Sequence, residues 1–321
     1  MIITCIIASS GTPRVIPVLT RCITSIYGAK TRTTTIRVVV TTNNSNHTLA
    51  SIKTLIHKIV VSPDNAGFVG INNKAILKTI QKKCDYYLII NDDAWISKNF
   101  FVNLEKIIRT KSDYREIIIP LVYESEGKKI DSFGVEYFRT GYAKNAFSKT
   151  IFTSLASMSC LLIQYSFMKK MVNLYGYFLN PVLVWYLEDV EFSIRAAAVG
   201  ATLYKNSSLV ARHMRTFTWG RKSYMVMYYS FRNLIWTVCI TWPQKILIKQ
   251  AFRLLAWQTL VSIYCLIKYN PFMYPKIVWE TMLNWKKLRQ YRYQTLQTYR
   301  PSFQFESLFS RLEMRHDRLT F

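Results

Sequence analysis

Acid is what this chain has least of. Its 321 residues hold 18 Asp and Glu against 43 Lys and Arg, a formal net charge of +25. A chain this basic repels itself in the compact state and calls for an anionic partner: a membrane surface, a nucleotide or a nucleic acid. Glycine and proline are also scarce, at 10 and 9, which excludes a collagen-like or linker-dominated chain. Half of the residues are apolar, so it is no disordered tail either. The length suits about two domains, or one large domain with an appendage. Six cysteines stand at 5, 22, 84, 160, 239 and 265, with no CxxC pair among them. Most lie in apolar runs such as Thr4-Cys5-Ile6-Ile7. They read as small buried hydrophobes of a reduced, intracellular chain, not as a zinc ribbon or disulfide framework. Neither a Walker A loop nor a GxGxxG fingerprint is present, which counts against an ordinary ATPase or dehydrogenase. The opening Met1-Ile2-Ile3-Thr4-Cys5-Ile6-Ile7 has no basic n-region and only a short apolar run. It reads as a first strand and not a signal peptide, so the chain is expected on the cytoplasmic side.

The few carboxylates are unevenly placed. Between Tyr137 and Trp279 only Glu188, Asp189 and Glu191 are acidic, and the first hundred residues hold Asp64, Asp85 and the adjacent Asp92-Asp93. Neighbouring carboxylates repel, so pairing them in so basic a chain points to a use such as a divalent cation or proton transfer. The bland alternatives are turn chemistry at Asn91-Asp92-Asp93 and a helix N-terminus at Glu188–Glu191, where acids favour the dipole.

Hydrophobic periodicity supplies the context. Residues 2–8 and 36–41 are β-branched runs, and Val15, Val18, Leu19, Cys22 and Ile26 between them fall at helical spacing. Helical patterns follow at 48–58 and 71–82, then the continuous apolar run Tyr86-Tyr87-Leu88-Ile89-Ile90, which suits a strand buried on both faces. This alternation predicts βαβ units with a mostly parallel sheet, and ligands of such sheets bind beyond the carboxyl ends of the strands. Asn91-Asp92-Asp93 directly follows the run, which favours a site over a bare turn. Asp64 to Asn73 precedes a helix. There Gly67 and Gly70 permit close backbone approach, and Asn65, Asn72 and Asn73 offer amide donors to an anion at the helix start. Further on, a helix is expected at Phe101–Arg109, a strand at Ile117–Val122, and a helix start at Trp185 to Arg195 that puts Glu188 and Glu191 on one face with Asp189 turned elsewhere. Short strands at Ala201–Tyr204 and Leu209–Ala211 lead to His213.

These residues, in this order, resemble a family 2 glycosyltransferase of the GT-A fold, closest to bacterial rhamnosyltransferase-like members that build surface polysaccharide. The likeness runs from residue 1 to about 233. It rests on Asn65-x-Gly67-Phe68 with Asn73, Leu88-Ile89-Ile90-Asn91-Asp92-Asp93, the small-residue segment before Leu161-Leu162-Ile163, Glu188-Asp189-Val190-Glu191 with Arg195, His213, and Arg232-Asn233. The resemblance implies that Asp93 binds Mg²⁺ or Mn²⁺ on the donor's diphosphate, with His213 as a second ligand. It makes Asp189 the catalytic base and sets Ser9, Thr42, Asn65, Gly67, Phe68, Asn73, Asn91, Asp92 and Arg232 around the nucleotide sugar. Trp185, Glu188, Glu191 and Arg195 fall to the acceptor side or to its support. Arg195 also stands at i,i+4 from Glu191, where a purely structural ion pair explains it equally well, and a lone His such as His213 is often structural. Direct displacement needs one carboxylate base and no nucleophile, so inversion at the anomeric carbon is implied. Two departures bear on the donor. Thr42 stands where the family usually carries an Asp that contacts the nucleobase, and Ser9-Ser10-Gly11-Thr12-Pro13-Arg14 replaces the commoner polar loop. Thymidine-linked rhamnose is the first donor implied and a uridine-linked hexose the second, with a lipid-linked or oligosaccharide acceptor.

The remaining residues, 234–321, read as a helical, basic, aromatic-rich tail. They hold 13 Lys and Arg and 4 Asp and Glu. The longest nearly uncharged stretch, Leu254–Ile267, has 14 residues. At ~1.5 Å per residue it spans ~21 Å, short of a bilayer core of ~30 Å. Trp236, Trp242, Trp257, Tyr264, Trp279 and Trp285 mixed with Lys and Arg suit amphipathic helices on an anionic leaflet. Peripheral attachment at the cytoplasmic face of the plasma membrane is therefore expected, against an ordinary helical subdomain with a solvated basic face. The rival of another class is a nucleic-acid binder using the charge and the Tyr/Arg-rich tail. It leaves Asp92-Asp93 and Glu188-Asp189 unexplained, because carboxylates near phosphates are unfavourable without a metal. A third reading is an inactive scaffold.

Overall fold

The computed structural model describes residues 1–43, 46–62, 66–110, 116–149, 155–214 and 223–310. Asn65, implied in donor binding, lies outside them. The chain order begins β1 (Ile2–Ser9), α1 (Ile16–Gly28), β2 (Thr35–Thr42), a 3₁₀ stretch (Asn46–Leu55), β3 (Lys58–Val61), α2 (Gly67–Thr79), β4 (Tyr86–Asn91), β5 (Ala94–Ile96) and α3 (Phe100–Thr110). It continues with β6 (Ile117–Glu124), β7 (Ile130–Ser132), β8 (Val135–Tyr137), β9 (Ala143–Asn145), β10 (Cys160–Gln164), α4 (Tyr165–Tyr175), α5 (Glu188–Ala198) and β11 (Leu203–His213). Four helices close it, α6 (Tyr224–Thr241), α7 (Gln244–Lys268), α8 (Met273–Leu283) and α9 (Trp285–Gln297), with a last 3₁₀ turn at Phe305–Leu308.

One sheet runs β3-β2-β1-β4-β10-β6-β11-β5, with β7 on the edge of β6, and β8 and β9 pair separately. β3, β2, β1 and β4 are parallel, as are β6 and β11, while β10 enters antiparallel between β4 and β6. The β-branched runs are buried on both faces because helices cover both sides. Ile6, Val39 and Ile89 point into the layer containing α2, α4 and α5, and Ile7, Val40 and Ile90 into the layer containing α1 and α3. This is the mostly parallel α/β architecture flanked by helices that the periodicity predicts, followed by a helical C-terminal region that includes one long apolar helix.

Four local expectations differ. The helix expected at 48–58 is a 3₁₀ stretch that gives way to β3, whose Lys58–Val61 pairs with Val39–Thr42 and extends the sheet. The helix expected to begin near Trp185 begins only at Glu188, because Val184, Tyr186 and Leu187 adopt left-handed φ of 62°, 66° and 64°. The two short strands before His213 are one strand with a bulge between Asn206 and Val210. Finally, α6 crosses residue 233 unbroken, so the change in composition falls inside a helix and not at a linker. Trp236 and Ile240 of α6 and Leu288 of α9 join the core of α2, α4 and α5, so the tail is packed onto the α/β layer.

Candidate active site

Parallel strands present their carboxyl ends together. Ser9 of β1 is in register with Thr42 of β2, and Ala8 with Asn91 of β4, so Ser9 and Thr42 form one row at that edge and Asn91 stands in the row one residue before it. Ser9 and Thr42 are buried. The Ser9 hydroxyl hydrogen-bonds the Asp92 carboxyl, yet burial still pushes that carboxyl up to about 7.

Asp93 follows at the turn into β5 and is buried. Its Oδ1 lies 3.0 Å from His213 Nε2, at the end of β11, and the other face of the imidazole, Nδ1, lies 3.0 Å from Asp131 Oδ2 on β7. The Met214 amide donates to the Asp93 carbonyl at 3.0 Å, and β5 pairs with β11 at Ala94 and His213, which fixes the spacing. Burial alone lowers the pKa of His213, but the Asp131 and Asp93 carboxylates outweigh it and raise it to about 9. The spot therefore already favours positive charge. Asp131 was not identified from the sequence. It stands among Glu124, Glu126 and Glu136, where one more acid carries no signal, and only β7 pairing along β6 brings it to His213.

These residues fit a divalent ion. Octahedral Mg²⁺ with ligands at about 2.1 Å sets neighbouring ligand atoms about 3 Å apart, which is the His213 Nε2–Asp93 Oδ1 separation. Among the described residues no cluster of three or more His, Cys, Asp or Glu forms a cage for a metal. A site of one or two protein ligands completed by substrate phosphates is how Mg²⁺ is commonly bound.

The second acidic group reaches the same edge through the segment 155–159. The Asn91 amide donates to the Ser159 carbonyl at 3.2 Å, while the Met158 amide donates to the Asp189 carboxylate. Ala156 N donates to Ser193 Oγ at 2.9 Å and so pins this segment to α5. Asp189, half-buried, also accepts from Val190 N at 2.8 Å. Burial holds the Asp189 and Glu188 carboxyls above their ordinary values, with mutual repulsion adding to Glu188. Glu188 Oε2 is buried without a hydrogen-bond partner.

Glu191 and Arg195 turn away from this edge into the core, fully buried, and pair at 2.7 and 2.8 Å. Arg195 also donates to the Phe178 carbonyl and lies 4.5 Å from the Tyr175 ring centroid. The pair is structural support, as the i,i+4 spacing allowed. Three residues implied in donor binding are placed elsewhere. Asn73 uses its whole amide on the 178–179 loop, donating to Leu179 O and accepting from Phe178 N and Leu179 N. Phe68 packs on the core, and Asn72 donates to its carbonyl. Gly67 has φ +63°, and a Cβ there would sit 2.5 Å from Val184 Cγ1 and 2.7 Å from Val184 O, so its close approach is to Val184 and the Trp185 ring and not to an anion. Val69 N, in the first turn of α2, donates to Val184 O.

The same loop accounts for Arg232 and Trp185. Asn233 Nδ2 donates to Leu183 O, Trp185 O and Tyr186 O, and Arg232 donates to Leu183 O and Asn233 Oδ1. Arg232 also pairs with Glu280 at 3.4 Å and stacks 4.1 Å from the Trp236 ring. The resemblance set Arg232 at the nucleotide sugar; in the structure its guanidinium is spent behind the loop. Trp185 packs edge-on against Tyr229. Left-handed φ at non-glycine residues costs roughly 1–3 kcal/mol each, so Arg232 and Asn233 are the clamp that holds Val184–Leu187 in place directly before Asp189.

No family model matches the chain, and no curated protein matches it. Its fold is that of the GT-A glycosyltransferases. Among solved structures it is similar to TarS residues 1–349 from S. aureus (13% identity, TM-score 0.51), which covers 96% of this chain and 83% of that one. It is similar too to a GalNAc-T7 structure with UDP, GalNAc and Mn²⁺ (13% identity, TM-score 0.58), over 87% of this chain and 57% of that one. The mannosyltransferase PcManGT of Pyrobaculum calidifontis, with GDP-Man and Mn²⁺, matches at 10% identity and TM-score 0.52, over 92% and 84%.

Proposed function

We propose that the protein is a metal-dependent, inverting glycosyltransferase of the family 2 type, which moves a sugar from a nucleoside diphosphate onto a lipid-linked saccharide of a cell-surface polysaccharide. The observation that carries this reading is the meeting of two acidic groups at one sheet edge. Asp93–His213–Asp131 and Asp189 are joined through Asn91, Ser159 and Met158. The GalNAc-T7 structure holds UDP, GalNAc and Mn²⁺, that of PcManGT holds GDP-Man and Mn²⁺, and this chain shares their fold.

In this reading Asp93 and His213 hold Mg²⁺ or Mn²⁺, and Asp131 orients the imidazole. The ion supplies neutralisation of the charge that develops on the departing diphosphate. Ser9, Thr42, Asn91 and Asp92 line the donor side. Asp189 accepts the proton of the acceptor hydroxyl as its oxygen attacks the anomeric carbon from the face opposite the leaving group, which inverts that centre. Thr42 removes the carboxylate that the resemblance sets against the nucleobase, and dTDP-rhamnose is the first donor, a UDP-hexose the second. The acceptor arrives at the cytoplasmic face of the plasma membrane.

Calorimetric titration of the full chain with dTDP, UDP and GDP, with and without Mn²⁺, tests the donor half of this reading. One nucleotide binds with metal and at least tenfold more weakly without it or in Asp93→Ala. Equal, metal-independent affinity for all three would refute it.

A further inference from the structure

α7 is apolar on two opposite faces. Trp257, Val261 and Cys265 are buried against α6 and α8. Ile248, Phe252, Leu255, Ile263 and Leu266 fall on the other side at steps of three, four and eight residues, and all are exposed, Phe252 at 84% and Leu255 at 68%. Phe272 and, on α8, Trp279, Met282 and Leu283 are exposed as well. The helix has 25 residues, long and apolar enough to cross a bilayer by length and composition, which extends the 14-residue uncharged stretch read from the sequence. Its inner face belongs to the packed bundle, however, so it is seated beside α6 and α8 with one flank bare.

That flank opens inward. A cavity of about 650 Å³ lies between α6, α7 and α8, lined by Ile235, Cys239, Leu254, Leu255, Val278 and Met282 among others. This is within the ~300–1,000 Å³ of ligand pockets. Leu255 and Met282 are shared between the cavity wall and the bare face, so the two form one continuous apolar surface.

Charge identifies the occupant. Residues 244–297 carry nine Lys and Arg and one acid, Glu280, which is paired with Arg232. A second copy of the chain would bring equal positive charge face to face, which is unfavourable at a self-complementary interface. An anionic leaflet satisfies both the charge and the exposed Phe, Leu and Trp. We propose that the outer face of α7 and α8 docks in the interface of an anionic bilayer, and that the adjoining cavity takes up one hydrocarbon chain of a lipid from that leaflet. The proposal rests on the reading of a membrane-borne acceptor, but its test reads binding and not turnover, so the two fail separately.

The test uses the full chain with vesicles of phosphatidylcholine alone or mixed equally with phosphatidylglycerol, and a fluorescent 16-carbon fatty acid as chain probe. Sedimentation with the mixed vesicles should exceed that with the neutral ones at least tenfold. It should fall at least tenfold in Phe252→Glu/Leu255→Glu, a surface pair whose thermal midpoint and metal-dependent nucleotide binding stay as in the parent. Val278→Phe and Cys239→Phe narrow the cavity from two sides. Each should weaken the chain probe at least tenfold while leaving vesicle sedimentation intact. Sedimentation indifferent to phosphatidylglycerol or to the double substitution would overturn the proposal, as would full probe binding by both narrowed variants. A dimer in solution that the double substitution splits would overturn it too, by showing that the face covers another copy.

Discussion

Asp131 holds His213 from behind while Asp93 stands in front of it, each at 3.0 Å. A carboxylate that orients a metal-binding imidazole typically contributes 10–100-fold in metal affinity or activity. Asp131→Asn should therefore weaken Mn²⁺ binding by about that factor, read by metal titration in the presence of nucleotide. At Asp189 the sign of the pH dependence follows from burial. A base works deprotonated, and its raised pKa means that it is protonated at a pH where an exposed Asp is already ionised. The acidic limb of kcat/KM should lie above the ordinary Asp value of about 4, and Asp189→Asn should remove ~10²–10⁴-fold of the transfer rate.

At the scale of elements, α5 is anchored by one buried ion pair and its approach loop by one clamp. Removing Glu191 strands Arg195, fully buried, beside Tyr175 and Tyr177. Breaking a buried pair by removing one partner costs about 3–5 kcal/mol, so Glu191→Ala should lower the thermal midpoint sharply, measured by circular dichroism. Asn233→Ala frees the carbonyls of Leu183, Trp185 and Tyr186 and with them the left-handed residues before Asp189. Its expected signature is a fall in kcat of at least tenfold, with nucleotide affinity retained. β1, β2, β4 and β6, with α1 and α3, were legible in the sequence, because each carries a clean period or a continuous apolar run. The 3₁₀ stretch with β3 and the 184–187 loop were not. A helical spacing of apolar residues does not reveal that the chain leaves it to pair with β2, and Val, Tyr and Leu give no local signal for positive φ.

At the scale of the whole molecule, the ordering of the two acidic groups was readable because acids are so rare here, and their meeting follows from strand order. The acids that repel along the sequence are drawn to one edge by β4, β11 and α5. Asp131 went unread because its neighbourhood is richer in acid. Asn73, Gly67 and Arg232 were assigned to the donor by likeness of motif, whereas their side-chain and backbone contacts tie α2 and α6 to the loops around the site. The tail's basic, aromatic character was legible, but its integration through Trp236, Ile240 and Leu288 required the packed structure.

With Asp93 and His213 as the proposed metal ligands and Asp189 as the proposed base, one metal-dependent site is expected to turn over a sugar nucleotide. The most direct measurement is release of nucleoside diphosphate from a panel of sugar nucleotides by the purified chain with Mg²⁺ or Mn²⁺. Turnover of one donor is expected, abolished by EDTA and by Asp93→Ala. No donor turned over, with none bound in calorimetry, would contradict it.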